Sequence, residues 1–132
     1  SDYYLFKNLY GLPADAHEQV HDLLELLELT DKTDLIDDTF TNINLSSGQR
    51  KRLALMTSLL ENRPIHIFDE WAADQDPVFR RKFYEEILPD MKKKGKTIIA
   101  VTHDDRYFDC ADRIIRMEEG QITSTGPGDA SW

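Results

Sequence analysis

The stretch NINLSSGQRKRLALMTSLLENRPIHIFDEW, residues 42–71, decides how the rest of this chain is read. A serine and glycine loop leads into a helix whose Leu53, Leu55, Met56, Leu59 and Leu60 recur at a spacing that turns them inward. Serine at the head of such a helix is a favoured cap, because its hydroxyl accepts from a backbone N–H of the first turn that has no partner within the helix. Pro64 then separates the helix from a short apolar strand, Ile65 to Phe68, which runs into two carboxylates, Asp69 and Glu70. A strand of this kind aims acidic groups at something beyond its carboxyl end.

Outward from this stretch, helix and strand alternate. Upstream, DAHEQVHDLLELLEL (15–29) places Val20, Leu23, Leu24 and Leu27 on one stripe of an amphipathic helix. TDKTDLIDDTFTNIN (30–44) reads as a polar loop. Downstream, a helix from about Pro77 carries VFRRKFYEEIL, with Pro89 ending or kinking it. KTIIAVTH (96–103) predicts a strand too continuously apolar to have a wet face. DDRYFDCA (104–111) predicts a short helix, and RIIRMEEGQITSTG (113–126) a strand, a turn at Glu119 and Gly120, and an edge strand. The alternation argues an α/β layer with parallel strands.

Composition narrows the function. With 25 acidic against 16 basic residues and a net charge of -9, the chain offers no broad surface to nucleic acid or anionic lipid. Of its local basic clusters, that of Arg50, Lys51 and Arg52 is the one that bears on function. The single cysteine, Cys110, excludes an intramolecular disulfide and fits a reducing compartment, the cytosol; the segment itself is expected to be soluble. No apolar run approaches a membrane span, and the start SDYYLFKNLYG lacks the charged and apolar regions of a leader.

The chemistry falls at strand ends. In open parallel sheets, ligands collect outside the carboxyl ends of the strands. Here Asp69 and Glu70 end one strand and His103 ends another, so three polar groups are expected to converge on one edge. Such a set suits nucleotide hydrolysis, with one carboxylate on Mg²⁺ and one on the attacking water. Two exposed carboxylates at a strand terminus are the plainer reading of the acidic pair alone. LSSGQ (45–49) adds backbone N–H groups, two hydroxyls and the positive end of a helix dipole, with Gly48 allowing close approach of an anion. An ordinary capped helix explains the same residues.

Taken together the residues carry a resemblance. Leu45-Ser46-Ser47-Gly48-Gln49 resembles the signature motif of ATP-binding cassette (ABC) proteins, and PIHIFDE (64–70) looks like their Walker B strand. AADQD (72–76) sits where their D-loop follows, and VTHDD (101–105) resembles their switch-histidine loop. The separations agree: Gln49 to Asp69 is 69 − 49 = 20 residues, and Glu70 to His103 is 103 − 70 = 33. GQRKRLAL, FDEWAADQDP, FRRKFYEEILP and HDDRYF look most like bacterial cyclic-peptide and siderophore-type exporters, in which a membrane-spanning half is fused to the ATPase half. The similarity covers about residues 1–126.

The resemblance implies an α/β, parallel-sheet P-loop NTPase-type cassette with a helical signature subdomain. Residues 1–62 would be that subdomain, and 63–132 the C-terminal part of the RecA-like ATPase core. Glu70 would be the general base, His103 the γ-phosphate contact and Asp69 the Mg²⁺ partner, with ATP as the nucleotide. Ser46, Ser47, Gly48 and Gln49 would cover ATP held by a second cassette in a head-to-tail dimer, and Asp76 would lie at the dimer seam. The other implied partner is a transmembrane permease domain, which would place the segment at the cytoplasmic face of a bacterial inner membrane. The implied function is export of a cyclic peptide or siderophore-like substrate, driven by ATP hydrolysis. Ser47 stands where glycine is usual, Trp71 where proline is common and Gln75 where leucine is usual; Trp71 and the D-loop residues fit the exporter subgroup.

The family's GxxxxGK[ST] phosphate loop has no match in these residues. Gly95-Lys96-Thr97 comes nearest, but it precedes a strand where the loop must follow one, and it reads as a helix stop with lysines near the helix's negative end. The expectation is therefore a C-terminal portion of a cassette, inactive by itself. SDYYLF resembles the segment just after the family's glutamine loop. The alternatives are a stand-alone, non-catalytic module that donates its signature to another cassette, and a chromosome-maintenance ATPase, which would carry a coiled coil before the signature. His103, Asp104, Asp105 and Cys110 match no standard metal spacing, and Asn44-Leu45-Ser46 is an accidental sequon.

Overall fold

The computed structural model describes residues 16–36, 39–42 and 44–129. SDYYLF and Asp15 lie outside the described residues. The chain divides into two compact units, Ser1–Arg63 and Pro64–Trp132.

In the first unit, α1 (Ala16–Leu26) buries Ala16, Val20 and Leu24, and Leu27 and Leu29 beyond its end are buried too. The helix stops at Glu28, whose φ of 58° is left-handed, with Glu28 N–H donating to the Glu25 carbonyl and Leu29 N–H to that of Leu24. This pair of bonds closes the last turn as a Schellman motif without glycine. The polar stretch that follows is not a plain loop. It holds a short antiparallel hairpin, β1 (Leu35–Ile36) and β2 (Thr39–Phe40), because Phe40 has enough apolar area to be worth burying and is 2% exposed.

Helix α2 (Ser47–Leu60) starts on a capping box. The Ser46 hydroxyl accepts from Gln49 N–H at 3.2 Å, and the Gln49 amide oxygen accepts from Ser46 N–H at 3.0 Å. Leu53, Leu55 and Met56 are buried as their spacing predicts, while Leu59 and Leu60 are only half-buried. Two members of the basic cluster serve the unit itself: Arg50 Nε donates to the Leu45 carbonyl, and Arg52 donates to the Leu27 carbonyl and pairs with Glu28.

The second unit is organised by β3 (Ile65–Asp69) and β4 (Thr97–Val101), which pair in parallel with Ile65 opposite Thr97 and Asp69 opposite Val101. Between them the chain runs helically from Pro77 to Lys93 as α3 (Pro77–Lys82), a π-helical turn (Phe83–Ile87) and α4 (Leu88–Lys93). Of the two expectations for Pro89, an end or a kink, the run does not end there; it is locally widened instead. A proline lacks an N–H and its ring collides with the carbonyl four residues back. The wider turn before it, in which Leu88 N–H donates to the Phe83 carbonyl, makes room for the ring. The run ends instead at Gly95, with φ of 82°, where Gly95 N–H donates to the Lys92 carbonyl and Lys96 N–H to that of Met91. Gly95-Lys96-Thr97 is thus a helix stop, as its place before a strand requires.

Phe83 in the π turn is the hub of an aromatic cluster. It stacks on Trp71 at 4.5 Å between ring centres and meets Phe68 and Tyr84 edge to face at 5.2 and 5.1 Å. This packing covers the face of β3 that carries His66 and Phe68. The other face is open: Ile65, Ile67, Ile99 and Val101 are 48–69% exposed. The expectation that β4 has no wet face therefore fails, because the unit's helical run lies on one side of a two-stranded sheet. A 3₁₀ turn (Asp105–Cys110) follows, then the hairpin β5 (Arg113–Glu118) and β6 (Gln121–Pro127), turning at Glu119 and Gly120, both with positive φ. Phe83→Ala removes the ring at the centre of the cluster and is expected to lower unfolding stability by about 3–5 kcal/mol in urea titrations.

Candidate functional site

Strand register brings the expected groups together. Because Asp69 lies opposite Val101, Glu70 comes next to the chain leaving β4, and its N–H donates to the Val101 carbonyl at 2.9 Å. Two residues beyond Val101, His103 places Nε2 2.8 Å from Glu70 Oε1. The His103 side chain is 88% exposed and that of Glu70 47%, so the contact contributes little to stability and serves geometry instead. Glu70 has φ of 49°, an uncommon conformation for a residue with a Cβ. Its carbonyl is engaged by Ala73 N–H, which closes the turn that leaves the strand.

Glu70 and His103 line a cleft of about 310 Å³ with Ala72, Ala73, Arg80, Tyr84, Thr102 and Asp104. Tyr84 is carried into it by the π turn and stacks on Tyr107 at 4.6 Å. Burial pushes the Tyr84 phenol above its usual pKa, an effect partly offset by the Thr102 hydroxyl. Thr102 Oγ1 accepts from Asp104 N–H at 3.0 Å, a local turn that brackets His103. Arg106 forks onto Asp104 through Nε at 2.8 Å and Nη2 at 2.7 Å.

The remaining expected residues lie elsewhere. Asp69 is exposed at the end of β3 and does not line the cleft. Asp76 caps α3, its Oδ1 accepting from Phe79 N–H at 2.9 Å. Ser46 and Gln49 are joined in the capping box of α2, with Ser47 exposed and Gly48 half-buried on the first turn. Trp71, in place of the family's common proline, is buried in the aromatic cluster, and Gln75 is 3% exposed. Sequence reasoning missed Arg80, Tyr84 and Thr102 as cleft residues, since nothing in their spacing distinguishes them from ordinary surface or core positions.

Among the described residues, no group of three or more His, Cys, Asp or Glu side chains could hold a metal alone. Magnesium at phosphate sites takes only one or two carboxylates, with phosphate oxygens and water completing its shell. The exposed Asp69 carboxylate fits that limited role. It does not make a resident metal centre.

The ABC transporter family model matches residues 2–73. The chain belongs to the ABC transporter family. It is 51% identical over 128 residues to the ATP-binding protein SyrD of Pseudomonas syringae pv. syringae, covering 94% of this chain and 23% of SyrD. It is 34% identical over 113 residues to the glutathione/L-cysteine transport system ATP-binding/permease protein CydD of Bacillus subtilis (strain 168), covering 86% of this chain and 19% of CydD. The chain thus spans about a fifth of the length of these relatives. Among solved structures it is similar to cbiO1 of Clostridium perfringens, part of the ABC transporter complex cbiONQ, with a TM-score of 0.66 and 28% identity over 90% of this chain and 46% of that one. It also has the fold of MJ1267, an ATP-binding cassette of an ABC transporter, with a TM-score of 0.67 at 24% identity over 92% of this chain and 46% of that one. An α/β cassette of the P-loop NTPase type, seen in part, is the fold of this ABC protein.

The Asp104 carboxyl is held below the usual carboxylate range, first by its hydrogen bonds from Arg106 and against the desolvation that would raise it. A depressed folded value contributes stability that is complete above the unfolded carboxylate pKa, about 4, and is lost as pH falls through the depressed value. The stability gap between the parent ABC protein and Asp104→Asn is therefore expected to be full at pH 6 and to shrink below about pH 4, as read from urea midpoints. A gap that is constant from pH 6 to 3 contradicts this linkage.

Proposed function

We propose that the chain is the signature and catalytic-carboxylate portion of an ABC ATPase that couples ATP hydrolysis to export of a cyclic peptide or siderophore-like substrate. The observation that carries the reading is the 2.8 Å contact between Glu70 and His103 at the carboxyl ends of two parallel strands. In this reading Glu70 takes the proton of the water that attacks the γ-phosphate of ATP, and His103 steadies the carboxylate and meets the terminal phosphate. Asp69 would hold Mg²⁺, whose charge offsets that of the phosphate oxygens. The first unit is the signature subdomain and the second belongs to the ATPase core. The apolar face of Ile65, Ile67, Ile99 and Val101 supports this assignment, because parallel sheets are stable with both faces covered and a complete cassette supplies the second layer.

Ser47 and the N–H groups of the first turn of α2 act on ATP bound to a second cassette in a head-to-tail dimer. Ser46 and Gln49 hold that turn in shape through the capping box. Asp76 contributes to the dimer seam through the loop that it anchors. CydD, named an ATP-binding/permease protein, supports a permease as the further partner. In this reading the segment lies at the cytoplasmic face of a bacterial inner membrane. The export direction and the substrate class rest on the wording of residues 48–55, 68–77, 79–89 and 103–108.

In the complete protein, Glu70→Gln is expected to lower ATP turnover at least about 100-fold while ATP affinity stays within about threefold. Loss of nucleotide binding together with turnover would make Glu70 a structural residue and sink the reading. The 132 residues alone hold no phosphate cradle in their sequence, since Gly95 closes a helix. Titration of a fluorescent ATP analogue against them is expected to give no saturable Mg²⁺-dependent binding in the micromolar range.

A further inference from the structure

We infer that Arg80 is a positioning residue for turnover: its guanidinium fixes the loop that follows Glu70 to the residue that follows His103. The inference rests on the reading of Glu70 and His103 as the hydrolytic pair. Arg80 Nε donates to the Ala72 carbonyl at 3.1 Å, and Nη2 donates to the carbonyls of Ala73 and Gln75, both at 3.0 Å. Nη1 lies 3.6 Å from Asp104 Oδ2. All three guanidinium nitrogens are thus engaged, on a loop spanning four residues and on one carboxylate across the cleft.

Such a loop needs an outside donor. Glu70 leaves the strand in a left-handed conformation, and within the turn to Gln75 Ala73 N–H donates to the Glu70 carbonyl and Gln75 N–H to the Ala72 carbonyl. Carbonyls of Ala72, Ala73 and Gln75 converge on one point, and carbonyls that converge repel one another unless a cation or a fork of donors meets them. Arg80 supplies the fork, and Asp104 balances its charge. The Arg80 side chain is 22% exposed and that of Asp104 18%, so this contact is better shielded from solvent than the Glu70–His103 pair. The geometry of the exposed pair is therefore set by the half-buried clamp behind it.

Only a planar fork serves all three carbonyls and the carboxylate. Lysine keeps the charge but presents a point donor on a flexible stem, and methionine keeps the apolar stem without charge or donors. The test compares Arg80→Met, Arg80→Lys and Glu70→Gln in the complete protein, by steady-state ATPase kinetics, thermal unfolding and amide hydrogen exchange of the 70–76 segment. Misplacement of a catalytic group by about 1 Å costs up to about 100-fold in rate. Arg80→Met is expected to lower kcat about 10- to 100-fold with KM for ATP within about threefold, to speed exchange in 70–76 and to lower the unfolding temperature by only a few degrees, the cost of leaving part-buried carbonyls without a donor. Arg80→Lys is expected to recover part of kcat. The inference is overturned if Arg80→Met keeps kcat within twofold of the parent. It is equally overturned if kcat, KM and unfolding temperature all deteriorate together and lysine restores none of them, which is the signature of a merely structural role. If Glu70→Gln keeps turnover, it is the hydrolytic reading that fails, whatever Arg80 does.

Discussion

The in-register parallel pairing of β3 with β4 is the constraint on which the second unit depends. Five successive pairs, from Ile65 with Thr97 to Asp69 with Val101, determine which residues leave the two strands side by side. A further backbone bond, from Glu70 N–H to the Val101 carbonyl, carries the pairing one residue past the strand. Slip by a single residue would turn Phe68 out of the aromatic cluster and Ile67 into it, because side chains alternate between the faces. The same slip would pull Glu70 away from His103. Core packing and site geometry are thus selected by one register, and a sequence that satisfies Phe68 also aims Glu70.

That register does not by itself hold the site. The Glu70–His103 contact is too exposed to resist thermal motion on its own energy, and Glu70 sits in a backbone conformation that costs on the order of 1–3 kcal/mol. The strain is borne by the surroundings. On one side Trp71 is packed flat on Phe83, so the residue after Glu70 is fixed in the core. On the other side Thr102 bonds to Asp104 across His103, and Asp104 is in turn gripped by Arg106. The π turn joins the two sides, since it offers Phe83 to Trp71 and Tyr84 to Tyr107.

Much of this was legible in the residues. The serine cap and inward leucines of α2, the two strands and their terminal acids, the glycine stop at Gly95 and the closing hairpin all follow from local rules about caps, periodicity and turns. What escaped depends on neighbours that are distant in sequence. Thr39 and Phe40 carry no strand periodicity, and only the burial of Phe40 reveals their hairpin. Pro89 reads locally as a stop or a kink, and the π turn that accommodates it has no sequence signature. The unbroken apolar run of β4 encodes a strand covered on both sides, yet its second face is open here, since periodicity records the strand's surroundings in the intact fold and not which segment supplies them. Arg80 looks like one of several solvated basic residues in FRRK, and its role emerges only when three carbonyls from the preceding loop converge on it.

The signature loop divides its residues between holding shape and remaining available. Ser46 and Gln49 spend their side chains on each other's backbone, and Arg50 reaches back to the Leu45 carbonyl, so the entry to α2 is closed on both flanks. A loop tied in this way loses little conformational freedom when an anion meets its N–H groups, and that preorganisation favours binding. Between them Ser47 is exposed and Gly48 is half-buried and lacks a Cβ, which lets other groups come close to the backbone. Glu70 and Ser47 therefore follow the same plan, in which a short polar element is rigidified by neighbours whose own polar groups are consumed in the process. In the proposed dimer that plan matters more than affinity, because the two halves of each ATP site are brought together by different chains and each half has to arrive already shaped.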